Sequence, residues 1–115
     1  MPRTTQAIQA YRATNRFRSQ REQEADVFRT ATAALKTARD GSAIQQVRAL
    51  ADNRRLWTMV VDLMADPRNA LPPPLRASIV SVGITVQREM DGDAPNFEFL
   101  ISINENITAG LAGQP

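Results

Sequence analysis

The positions of helix-breaking residues decide what this chain can fold into. Most of its five glycines and seven prolines fall at three places: Gly41-Ser42, the run from Asp66-Pro67 to Pro74, and Asp91-Gly92-Asp93-Ala94-Pro95. Glycine and proline interrupt regular structure, and Asp and Ser satisfy turns locally, so these places together with Ser19 cut the chain into five segments. At 115 residues the chain is long enough for one hydrophobic core and too short for two, which makes residues 1–115 a single domain.

The first segment, 4–18, carries Ala7, Ile8 and Tyr11 as a weak amphipathic stripe, expected as a helix that can move as a flap. Ser19-Gln20-Arg21-Glu22 has the form of a capping box and opens a second helix over 20–40, with Ala25, Phe28, Ala31, Leu35 and Ala38 on one face and Gly41 as its stop. A third helix, 43–65, begins at the cap Ser42, runs through Ile44, Val47, Leu50, Trp57, Val60 and Met64, and must end before Pro67. Asp66 follows as an Asx-type turn over Arg68 and Asn69. Pro73 or Pro74 suits the first turn of a fourth helix, 74–90, because its ring presets φ and its missing amide would be unpaired there anyway.

The last two segments read both ways. Val80, Val82, Ile84 and Val86 alternate as a strand would, and so do Phe97, Phe99, Ile101 and Ile103. The same stretches also fit helices over 74–90 and 96–111. The proline start, and a polar tail from Asn104 to Gly110 too long for a strand end, favour helix. The expected fold is therefore all-α, a compact bundle of about five helices.

Composition narrows the chemistry. Cysteine and histidine are both absent, which removes disulfides, thiolate and imidazole metal ligands, and every catalytic triad or general base built on His or Cys. No glycine-rich phosphate loop occurs, and the i, i+4 pair Asp62 and Asp66 is too sparse a ligand set for a metal. Arg54-Arg55 beside Asp52 reads as a solvated helix face laced by ion pairs. Neither an enzyme nor a cofactor is expected. No apolar stretch is long enough to span a membrane, and the start lacks the apolar core of a signal peptide, so a soluble, cytoplasmic protein is expected.

The net charge of +2 hides an asymmetry. Residues 1–21 carry Arg3, Arg12, Arg16, Arg18 and Arg21 and no acid, while the remainder is mildly acidic. Such an arm can meet phosphates or an acidic protein, or be a solvated face.

Ordered short stretches carry a resemblance. They are Ala10-Tyr11 and Ser19-Gln20-Arg21-Glu22-Gln23-Glu24-Ala25, then Asn53-Arg54-Arg55-Leu56-Trp57, Asp66-Pro67-Arg68-Asn69-Ala70-Leu71-Pro72, the helix from Leu75 to Gly83, Leu100-Ile101-Ser102-Ile103-Asn104, and Gly110-Leu111. Together they resemble the bacterial flagellar protein family FlaF across nearly the whole chain. The resemblance implies a small helical cytoplasmic protein that promotes flagellin synthesis after transcription, binds flagellin in a chaperone-like manner, supports its export, and works with the regulator FlbT, which is linked to the flagellin messenger RNA. It brings no catalytic residue, cofactor or small-molecule substrate.

A helical groove receiving an amphipathic flagellin helix is a common recognition mode. The residues expected to form it are Leu56, Trp57, Val60, Leu71, Ile79, Gly83, Val86, Asn104 and Ile107. Trp57 reads first as a core anchor. Gly83 reads as a close helix crossing, since glycine inside a helix costs about 1 kcal/mol relative to alanine. Asn104, polar on an apolar face, either satisfies a backbone group in the core or reads the partner. The competing function is binding of flagellin messenger RNA through Arg12, Arg16, Arg18 and Arg21.

Overall fold

No glycine or proline interrupts residues 3–40, and the run forms one unbroken helix as far as Arg39. The computed structural model describes residues 2–112, without the side chains of residues 2–4, 13–21 and 111–112. Four helices fill the described range: α1, Pro2–Arg39; α2, Ala43–Ala65; α3, Pro73–Asp91; and α4, Phe97–Ala112. The all-α fold is as expected, and residues 75–90 and 97–111 are helical rather than a hairpin.

One boundary is corrected. The helices expected over 4–18 and 20–40 are joined, because Ser19 to Glu22 sit within α1 and start nothing. A capping box acts only where the preceding residue leaves helical geometry, and nothing before Ser19 makes it do so. The flap expectation concerns residues 4–18, and the side chains of residue 4 and residues 13–18 lie outside the described residues.

The same motif works at Ser42, where Gly41 and the turn before it have already ended α1. The Gln45 backbone N–H donates to Ser42 Oγ at 3.2 Å, and the Ser42 N–H donates to Gln45 Oε1 at 2.7 Å. At the other end of α2, Pro67 forces Asp66 out of helical geometry. The exposed carbonyls there are covered from outside. Arg76 Nη1 donates to the carbonyls of Met64 and Asp66 at 3.3 and 3.1 Å, and Asn69 Nδ2 donates to that of Leu63 at 3.0 Å. Pro73 and Pro74 occupy the first turn of α3. Asn96 starts α4, its Oδ1 accepting the Phe99 N–H at 3.1 Å.

α1 lies against both α2 and α4, and α2 against α3. The antiparallel α1–α4 pair is edged by Arg39–Glu98 at 2.7 Å and Lys36–Glu105 at 3.2 Å. The core takes Ala25, Phe28, Ala31, Leu35 and Ala38 from α1, Ala49, Leu56, Trp57 and Val60 from α2, Val86 and Met90 from α3, and Leu100 and Ile101 from α4. Its α1 residues recur at three- and four-residue spacing, the stripe a helix needs to bury one face. At 1.5 Å per residue α1 is about 57 Å long, which accounts for most of the molecule's 63 Å axis against 28 and 19 Å across. Residues 5–12 of α1 are all exposed.

Candidate functional site

Trp57 is the point where the four helices meet. Its ring stands edge-on to Phe28 of α1, with centroids 5.8 Å apart and planes at 86°. α3 comes this close to the ring only because residue 83 is glycine. A Cβ at Gly83 would lie 2.6 Å from Val61 Cγ2 and 3.3 Å from Trp57 Cε3. The close crossing expected at Gly83 is present, and it is internal to the bundle.

The indole N–H of Trp57 donates to Asn104 Oδ1 of α4 at 2.9 Å, Asn104 Nδ2 donates to Asn53 Oδ1 of α2 at 2.7 Å, and Asn53 Nδ2 reaches Met90 Sδ of α3 at 3.4 Å. All four residues are buried. A buried polar group costs free energy unless it is paired, and here each donor and acceptor in the relay supplies the next. Asn104 lies in the core, as one of its two readings had it, but its side chain pairs with the side chains of Trp57 and Asn53 and not with the backbone group expected there. Asn53 is the member that sequence reasoning passed over, since it attracts notice only beside Asn104, fifty-one positions away.

The nine expected groove residues divide by depth. Leu56, Trp57, Val60, Gly83, Val86 and Asn104 are buried, while Leu71, Ile79 and Ile107 are half-buried. In this conformation the first six form the floor and support, and the last three reach the surface. Of the expected nucleic-acid residues, Arg12 is exposed on α1, and the side chains of Arg16, Arg18 and Arg21 lie outside the described residues.

Two apolar rows flank the buried centre. On α4, Glu98 and Glu105 face α1 through their ion pairs, which turns Phe99, Ile103 and Ile107, at i, i+4 and i+8, to the opposite flank. On α3, Gln87 faces α2 through a 3.3 Å bond to Thr58 Oγ1, which leaves Val82, with Ile79 and Leu75 on the preceding turns, toward the other side. Five of these six are half-buried against the core, and Leu75 is 45% exposed.

A concavity runs between α1 and α2, lined by Asp26, Val27, Thr30, Ala34, Asp52, Arg55 and Met59, with the buried Leu56 among them. Another lies along the outer face of α2, from Arg54 to Asp66. Arg55 pairs with Asp52 along the face of α2, as expected, whereas Arg54 reaches across to Asp91 of α3 at 2.5 Å. Asp66 accepts from the backbone N–H of Arg68 at 2.9 Å and from its guanidinium at 2.9 and 3.1 Å, the expected Asx turn. The Arg68 side chain, then its backbone N–H, hold the Asp66 carboxyl below its ordinary value, and the same contact raises Arg68. Among the described residues no group of three acidic side chains is placed to hold a metal ion, and no helix is long and apolar enough to cross a membrane.

No curated protein and no solved structure matches the chain. A family model described as flagellar protein FlaF matches residues 7–111, a span that includes the Trp57 relay and both apolar rows. The chain belongs to the FlaF family of flagellar proteins.

Proposed function

We propose that this protein binds flagellin as a chaperone-like factor in flagellum assembly, covering an amphipathic flagellin helix with the apolar rows of α3 and α4. The reading rests on membership of a flagellar family together with one observation, the half-buried apolar side chains Ile79, Val82, Ile103 and Ile107 set over a rigid, fully paired centre. An apolar stripe over a fixed floor suits a helix presenting anchors at i, i+3, i+4 and i+7. Leu71, half-buried in the connector before α3, extends that stripe. The six buried groove residues act by holding the walls apart.

The experiment is size-exclusion co-elution of the purified protein with unpolymerised flagellin at micromolar concentration. Co-elution is expected, and Ile79→Asp or Ile107→Asp should weaken it at least tenfold. Val47→Asp, at an exposed apolar position on α2, should leave it unchanged. Failure of the wild-type protein to shift flagellin overturns the reading.

A further inference from the structure

The charge asymmetry of the sequence acquires a geometry in α1. Residues 1–21 hold five arginines and no acid, and residues 22–26 hold Glu22, Glu24 and Asp26 and no base. The two blocks are consecutive on one helix. Residues 5–12 of the basic block are exposed, Tyr11 to 69%. The acidic block leads into the α1–α2 concavity, where Val27 and Met59 are exposed apolar residues beside Asp26 and Asp52. A helix of this length gains little from propensity alone, because most helical stability in proteins comes from burying an amphipathic face.

We propose that the exposed arm of α1 docks antiparallel into the α1–α2 concavity of a second copy of this chain, and that the second copy returns its own arm by two-fold symmetry. An isologous pair requires one surface to be complementary to itself under a two-fold rotation. A basic block followed at once by an acidic block on one helix meets that condition, because antiparallel pairing puts each block opposite the other.

A two-fold axis near residue 19 sets Tyr11 against Val27 of the second copy, Arg12 against its Asp26, and Ile8 beside its Thr30. The apolar anchors then fall near Val27, Ala34 and Met59, with Arg12 on the Asp26 that borders them, and the same register sets Arg16 and Glu22 at facing positions of the sequence. Asp26 is free to change partners: its contact to Arg29, at 2.6 Å, is an i, i+3 pair with both side chains more than half exposed, a class of contact that contributes little. This interface leaves α3 and α4 uncovered, so it goes beyond the proposed flagellin site and does not depend on it.

The test is sedimentation equilibrium of the full chain from low micromolar concentration upward. A monomer–dimer equilibrium is expected, weakened by added salt because screening acts on the charged part of the contact. Arg12→Glu and Asp26→Arg, each alone, should weaken dimerisation at least tenfold, and the charge-swapped double variant should restore it. The chain has no cysteine, so Tyr11→Cys combined with Val27→Cys should give an intermolecular disulfide as the only crosslink. Ile79→Asp should leave dimerisation unchanged, which separates this result from any failure of flagellin binding.

A wild-type chain that stays monomeric throughout the range overturns the proposal, as does a dimer indifferent to both charge reversals or a double variant no better than the singles. A monomer whose arm instead captures an RNA homopolymer overturns it in favour of nucleic acid as the arm's occupant. Circular dichroism melts of each variant establish that the bundle is folded when its mass is read.

Discussion

Trp57 and Asn104 share a 2.9 Å hydrogen bond between side chains that are both fully removed from solvent. The bond ties α2 to α4, which are separated in sequence by all of α3. Without Asn104, both the Trp57 indole N–H and Asn53 Oδ1 lose their partner in the core. A buried donor or acceptor left unpaired costs about 1–3 kcal/mol. Asn104→Leu should therefore destabilise the protein by about 2–4 kcal/mol in urea unfolding, although it adds apolar volume to the core. Asn53→Leu should cost less, and the double variant should cost less than the two singles together, because the pair removes a shared interaction.

Gly83→Ala sets two effects against each other. Alanine gains about 1 kcal/mol of helix propensity over glycine, but its Cβ would press against Val61 Cγ2, which is stiff at χ1, and against the Trp57 ring. Overpacking of this kind costs about 1–3 kcal/mol. The net change should be a lowered melting temperature, and Val61→Ala in the same chain should recover part of it by clearing the nearer contact.

Asp66 gives a pH dependence with a definite sign. Its carboxyl is held below the ordinary aspartate value, first by the Arg68 side chain and then by the Arg68 backbone N–H. The contribution is thus complete above the unfolded value and is lost as pH falls through the lowered folded one. Asp66→Asn should be less stable than wild type at neutral pH by a small margin, since Arg68 is largely exposed. That margin should close as thermal melts are repeated below the unfolded carboxylate value.

Ser42→Ala removes the side-chain acceptor of the Gln45 N–H and half of the reciprocal pair at the start of α2. The expected loss is about 1 kcal/mol, read by chemical denaturation, and Ser42→Asp should retain most of the stability because its carboxylate can accept the same bond. Ser19→Ala should be nearly neutral, because that residue lies within a continuous helix and no helix begins there.

The contrast between Ser19 and Ser42 marks what the residues alone could convey. Both begin a Ser-x-x-Glu/Gln pattern, and only Ser42 follows a glycine that has already ended a helix. Helix ends governed by local chemistry were legible: the Gly41 stop, the turn at Asp66 and the proline start at Pro73. Trp57 and Gly83 were legible as core and crossing because their size leaves few alternatives. The relay was only half legible. Asn53 is an ordinary polar residue on a helix until α4 brings Asn104 to it, and no periodicity encodes a contact across fifty-one positions. The depth of the groove residues was hidden for the same reason. Helical spacing assigns Leu56, Val86 and Ile107 to apolar faces, but only the packing of α2 between α1 and α3, and of α4 on α1, decides which of them retains any surface.

The Asn53–Asn104 pair also fixes how the helices are indexed along one another. Apolar side chains tolerate a shift of one helical turn, about 5.4 Å, with modest repacking. A directional relay with one partner per group does not, because sliding α4 by that distance would strand the Trp57, Asn104 and Asn53 polar atoms together in a dry interior. The bundle is keyed to a single alignment, and any partner that slides α4 along it must break both of the Asn104 bonds at once.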